Sequence, residues 1–161
     1  MRFHAKKEIR KRIKDCIEEN DELKNRVSFD PSNILNPKEF PHVVITDGEE
    51  KGEDNLTIGK RSIGSIDTSY SERQLIINVT LLTKINNNNE EFSVDRLELL
   101  INESLCKDYE RITLNGLIIK NEYAQSFTDS STLSATKVLI KNMQFLVTYR
   151  VLNSDLSKTI R

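Results

Sequence analysis

Arg73-Gln74-Leu75-Ile76-Ile77-Asn78-Val79-Thr80-Leu81-Leu82-Thr83 is the stretch on which the fold turns. Leu75, Ile77, Val79 and Leu81 fall on one side of an extended chain, and Gln74, Asn78 and Thr80 fall on the other. The segment therefore predicts a strand with one buried face. From Lys137 to Val151 the pattern recurs at greater length: Leu139, Met143, Phe145, Val147, Tyr149 and Val151 occupy the odd positions, Lys141 being the exception. Phe40-Pro41-His42-Val43-Val44-Ile45-Thr46 is β-branched and entered through a proline, which suits a strand start or a sheet edge. Leu117 to Phe127 predicts a further strand after the turn signal Asn115-Gly116. Arg26-Val27-Ser28-Phe29 predicts a short edge strand, closed by a turn at Asp30-Pro31-Ser32-Asn33.

Two segments carry helical spacing instead. Ile9, Ile13, Cys16 and Ile17 make one apolar stripe and predict a helix over 4–20. Val94, Leu97, Ile101 and Leu105 predict a second from Ser93 to about Tyr109, with Ser93 as its N-cap. Asp47 to Glu72 contains Gly48, Gly52, Gly59 and Gly64 and little apolar periodicity. It reads as a long loop with at most a weak hairpin near Leu56-Thr57-Ile58 and Ser62-Ile63. Ser126 to Thr136 reads as a Ser/Thr-rich loop, and residues 152–161 as a flexible C-terminal tail. Helices set apart from runs of strands give an α+β class: an antiparallel-rich mixed sheet with two helices packed on one face, in a single domain over 1–151.

Composition narrows the function classes. The chain has 161 residues with 24 Lys plus Arg against 25 Asp plus Glu, a formal charge of −1. Generic nucleic-acid binding rests on excess positive charge, which this balance lacks. No apolar run approaches a membrane span. The start Met1-Arg2-Phe3-His4-Ala5-Lys6-Lys7-Glu8 has no apolar stretch of the signal-peptide kind. Within the first helix the charges are segregated. Arg2, Lys6, Lys7, Arg10, Lys11, Arg12 and Lys14 come first, and Asp15, Glu18, Glu19, Asp21 and Glu22 follow. That order opposes the helix macrodipole, a small cost whose direction needs a reason.

No residue pattern marks an active site. His4 and His42 stand apart from any cluster of ligands, and a metal needs three or four that converge. Cys16 lies on the apolar stripe of the first helix and Cys106 near the end of the second, where each reads as a small buried hydrophobe. Gly59-Lys60-Arg61-Ser62 resembles a phosphate loop only in part, because Arg61 stands where Ser or Thr must follow the lysine. Glu49, Glu50, Glu53 and Asp54 sit in the Gly-rich stretch, where a solvated loop or a contact with a basic surface is expected rather than an acid–base pair. The sequence thus implies no catalytic residue, metal or cofactor.

Taken as a whole pattern, the chain resembles the tail terminator proteins of long-tailed phages. The resemblance is carried by the opening helix with Ile9, Ile13 and Ile17 and by the strand entry Phe40-Pro41-His42-Val43-Val44-Ile45. It continues with the strand Leu75-Ile76-Ile77-Asn78-Val79 followed by the helix Asp95-Arg96-Leu97-Glu98-Leu99-Leu100. It closes with Phe145-Leu146-Val147-Thr148-Tyr149-Arg150-Val151 after a polar loop. The likeness spans about 5–151; the longer loop at 47–72 and the residues beyond Val151 depart from it. It implies a structural protein of the virion, assembled in the host cytoplasm. Such a protein forms a hexameric ring that caps the tail tube, ends its polymerisation and offers a surface to the head. The implied partners are further copies of the chain, the major tail tube protein and a head-completion protein. Arg10, Lys11, Lys14, Glu49, Glu50, Glu53, Asp54, Lys60 and Arg61 are the expected subunit or tube contacts. A head-completion or neck connector protein is the alternative of the same kind, and a small enzyme or a nucleic-acid-binding protein is the alternative of another kind.

Overall fold

The segment 73–83 lies inside the central strand of the sheet. The structure, a computed structural model, describes residues 5–35, 39–52, 62–63, 66–67, 70–84, 90–133, 136–152 and 155–160. The chain begins with helix α1 (Ala5–Glu18), followed by β1 (Val27–Ser28), a short helix α2 (Ser32–Leu35) and β2 (His42–Gly52). A two-stranded hairpin, β3 (Ser62–Ile63) and β4 (Ile66–Asp67), precedes the central strand β5 (Tyr70–Lys84). Helices α3 (Glu90–Cys106) and α4 (Tyr109–Ile112) come next, then β6 (Lys120–Leu133), β7 (Thr136–Leu152) and β8 (Asp155–Ile160).

The main sheet runs β1-β2-β5-β7-β6, with β8 pairing β7. Only β1 and β2 are parallel; the other pairs are antiparallel. The fold is α+β with a mixed, mostly antiparallel sheet, and α1 and α3 lie on the same face. The register explains why that face is apolar. Leu75, Ile77 and Val79 stand opposite Val147, Phe145 and Met143. All six are buried, in one cluster with Ile9, Ile13 and Ile17 of α1 and Leu97, Ile101 and Leu105 of α3. Tyr123 of β6 meets the Phe145 ring edge-on at 5.3 Å, a favoured aromatic geometry.

Four expectations are corrected. The region 47–72 is not one long loop, since β2 continues to Gly52 and β5 begins at Tyr70, with Gly52 opposite Arg73. Its hairpin joins Ser62–Ile63 to Ile66–Asp67; Leu56, Thr57 and Ile58 lie outside the described residues. The Ser/Thr-rich stretch is strand as well, with Ser130 opposite Leu139 and Leu133 opposite Thr136. There, polar composition marks the outermost strand of the sheet and not a turn. Helix α3 starts at Glu90, which places Ser93 inside it, and ends at Cys106; Asp108 then caps α4 by accepting from the Arg111 N–H at 2.9 Å. Finally, 152–161 is no loose tail. β7 runs beyond the start of β6, where Lys120 faces Thr148, and β8 fills the edge left open there, with Arg150 opposite Ile160.

The expected turn after α4 is present and tightly specified. Leu114, Asn115 and Gly116 all have positive φ, at 49°, 57° and 85°. Asn121, buried at the start of β6, donates to the carbonyls of Leu105, Arg111 and Ile112 and accepts from the Cys106 thiol. One side chain thus ties the end of α3 to α4 and the sheet, fixing where the exposed flank of α3 lies.

Candidate interaction surfaces

The charge order of α1 finds its partners inside the chain. Between Asp47 and Glu50 the register of β2 slips, so that Asp47 faces Ile77 and Glu50 faces Leu75. Both opposing residues belong to the helix-covered face, and the extra residue therefore turns both acids toward α1. Arg10 donates to Asp47 at 2.9 Å, and Lys6 pairs with Glu50. Glu50 also accepts from the Tyr149 hydroxyl at 2.8 Å and from Arg73 at 3.5 Å. Burial works against the charge of Glu50, but the hydrogen bonds from Lys6 and Tyr149 and the nearby cations outweigh it and hold its carboxyl below the usual value. Burial, reinforced by the hydrogen bond to Glu50, pushes the Tyr149 hydroxyl well above its ordinary value.

The bulge contains a glycine. A Cβ on Gly48 would stand 3.0 Å from the Ile76 Cγ2 and 3.1 Å from the Asn78 amide nitrogen, on the face away from the helices. Any side chain there would require Ile76 and Asn78 to give by a few tenths of an ångström. The acidic end of α1 is answered in the same way by α3 and α4. Glu22 holds Arg96 through two bonds of 2.6 and 2.7 Å, and Glu19 lies 3.6 Å from Arg111. The Arg96 hydrogen bond lowers the Glu22 carboxyl below its ordinary value. The segregation that sequence reading assigned to contacts with a neighbour thus bridges α1 to β2 on one side and to α3 and α4 on the other.

These bonds sort the expected contact residues. Arg10 and Glu50 are held within the subunit. Lys14 pairs with Glu18 at 3.8 Å and lies over the Phe29 ring at 5.5 Å. Glu49 is exposed at the bulge, and Lys11 is exposed on α1. Glu53, Asp54, Lys60, Arg61 and His4 lie outside the described residues. Sequence reading missed Tyr149 and Arg73 as partners of Glu50. The available signal was a tyrosine in line with Val147 and Val151 on the core face, whose hydroxyl requires a partner there.

Two grooves flank the helix layer. One, of about 360 Å³, is lined by Lys7, Glu8, Arg10 and Lys11 of α1 and by Phe29, just after β1. The other, of about 380 Å³, is lined by Asp95, Glu98, Leu99 and Asn102 of α3 and by Tyr123 of β6. In it Glu98 accepts from the Tyr123 hydroxyl at 2.7 Å and pairs with Lys141 at 2.9 Å. That contact accounts for the lysine in an otherwise apolar strand position. β1 and β6 are opposite edges of the sheet, so the two grooves lie on opposite sides of the subunit.

One polar cluster joins β1, α2 and the start of β2. Ser28 Oγ and His42 Nε2 are 2.9 Å apart, and Asn33 donates to the same oxygen at 3.0 Å. A nucleophile–base pair needs a third group to orient the histidine, and the buried His42 Nδ1 has no partner. Burial also lowers the His42 pKa, with Glu39 opposing that shift. The arrangement latches β1 and α2 to the start of β2. Burial, aided by Glu19, pushes the Cys16 thiol up to about 11, and burial raises Cys106 as well, so both thiols stay protonated. Among the described residues, no group of three or more His, Cys, Asp or Glu is placed to hold a metal, and no helix is long and apolar enough to cross a membrane. No family model matches the chain, and no curated protein shows significant similarity to it.

Proposed function

We propose that this chain is a structural subunit of a phage or prophage virion, a tail terminator that assembles into a hexameric ring on the finished tail tube. The observation that carries the reading is the order of elements along the chain. An amphipathic helix, a proline-entered strand, a long central strand, a second amphipathic helix and a closing strand follow one another in the order on which the resemblance rests. Two further features support it. The polar clusters of the described residues act as structural latches, and the subunit has differently charged grooves on opposite sides, which suits a ring of head-to-tail contacts. The ring ends tube growth and presents its other surface to a head-completion protein.

The test is to add the purified chain to polymerising tail tube protein and examine the tubes by negative-stain electron microscopy. Tubes that stop growing and carry a ring at one end are expected. Tubes of unchanged length with bare ends, at every ratio of the two proteins, would overturn the reading. Binding to isolated heads in place of tubes would reassign the chain to the neck.

A further inference from the structure

Each groove leaves one apolar side chain and at least one charge uncovered. Beside β1, Phe29 is 40% exposed, and Lys11 is exposed with no ion pair among the described residues. Beside β6, Leu99 is 55% exposed, and Asp95 is exposed with no ion pair among the described residues. Of the other charges on these flanks, Arg10 is committed to Asp47, Lys14 to Glu18, and Glu98 to Lys141 and Tyr123.

The side-chain contacts show which way each flank points. Arg96 and Ser104 of α3 reach toward α1, meeting Glu22 and Asn20, so Asp95, Glu98 and Leu99 lie on the side toward β6. Just past the end of α1, Glu19 meets Arg111 on the side toward α4, whereas Lys14 of α1 meets Phe29 at the β1 edge. A basic, aromatic-walled groove and an acidic, leucine-tipped ridge thus occupy opposite sides of one subunit.

We propose that the occupant of the groove beside β1 is the α3 flank of a second copy of this chain. Leu99 enters against Phe29, and Lys11 faces Asp95. The same surface against itself would set one basic groove against another, or one acidic flank against another, so an isologous pair is disfavoured. A heterologous contact between opposite sides propagates from copy to copy and closes into a ring when the rotation per copy permits. The assignment rests on the ring reading above and specifies which surfaces make the ring.

Charge exchange tests the pairing. Sedimentation velocity of the full chain at low salt measures self-association of the wild type, Lys11→Glu, Asp95→Lys and the double variant. Each single reversal is expected to weaken association by roughly threefold or more, as removing and inverting an exposed interfacial pair does. The double variant restores the pair with its signs exchanged, so its association returns toward that of the wild type. Both sites are exposed, and melting curves matching the wild type establish that the variants fold. Losses that simply add in the double variant, or single reversals without effect on an assembling wild type, overturn this pairing while leaving the ring intact. A wild type that stays monomeric at all concentrations overturns the ring reading itself.

Discussion

The two faces of the sheet are made of the same strands and behave as different materials. Toward the helices, Leu75, Ile77, Val79, Met143, Phe145 and Val147 are essentially without solvent contact. On the opposite face their chain neighbours Ile76, Asn78, Gln144 and Leu146 are only half-buried. There, amides replace hydrocarbon contacts: Gln125 donates to Gln144 at 2.6 Å, and Gln144 donates to Asn78 at 3.1 Å, across three strands. Only at one end does this face have a small apolar patch, Val44, Leu82 and Val138, covered by Ile34 of α2 and by Phe40. The difference teaches that stability is concentrated on the helix side. The other face is held in register by side-chain amides, which tolerate water.

The sharpest test of that contrast is Phe145→Ala. It removes a fully buried ring that also meets Tyr123, and should cost about 3–5 kcal/mol in denaturant unfolding. A loss no greater than that of an outer-face substitution would break the comparison. Next in size is Glu50→Ala, which leaves the Tyr149 hydroxyl and Arg73 without their acceptor. It should cost about 1–3 kcal/mol, and an unchanged unfolding midpoint would show that the acid is no anchor for α1.

The pH dependence follows from the same residue. Because the folded-state pKa of Glu50 lies below its ordinary 4.5, the unfolded chain binds more protons as pH falls through that value. The stabilisation it provides is present above about 4.5 and lost below it, so the acid limb of a melting-temperature profile should be shallower in Glu50→Gln than in the wild type. At the other end, Tyr149 stays protonated above its ordinary 10.0 while the unfolded chain ionises, so stability should also fall as pH rises past that value. Identical acid limbs for the variant and the wild type would remove Glu50 from the account. Smallest of all is Gln144→Ala in the amide ladder, with an expected loss under about 1 kcal/mol because water can replace its partners. A cost near that of Phe145→Ala would mean that the open face is itself a core.

Strands β5 and β7 and helix α1 were legible because their apolar positions repeat at the spacing of one buried face. Where the sequence misled, polar composition was the cause. Asp47, Glu49 and Glu50 look like a loop, yet they are strand residues, and the charges of Asp47 and Glu50 are answered by Arg10, Lys6 and Arg73. Neither the bulge at Gly48 nor the tertiary partner shows in local periodicity. The Ser/Thr-rich outer half of β6 and the strand β8 escaped for a related reason: both pair with a strand already built, and that partner, not their own apolar pattern, orders them. The segregated charges of α1 were visible as an anomaly, and only the folded chain shows that most of them are spent internally. Lys11 is the expected contact residue on α1 still exposed without an ion pair among the described residues, and sequence reading gave Leu99 and Asp95 only as helix positions and Phe29 only as the end of a short edge strand.

The most direct test of the central claim is the mass of the assembled chain, followed by sedimentation from low to high concentration and again with tail tube protein present. The account predicts a shift from monomer to a single closed species of hexameric mass, favoured by low salt and by the tube. A monomer throughout, with and without the tube, or an open series of ever larger oligomers, would contradict it.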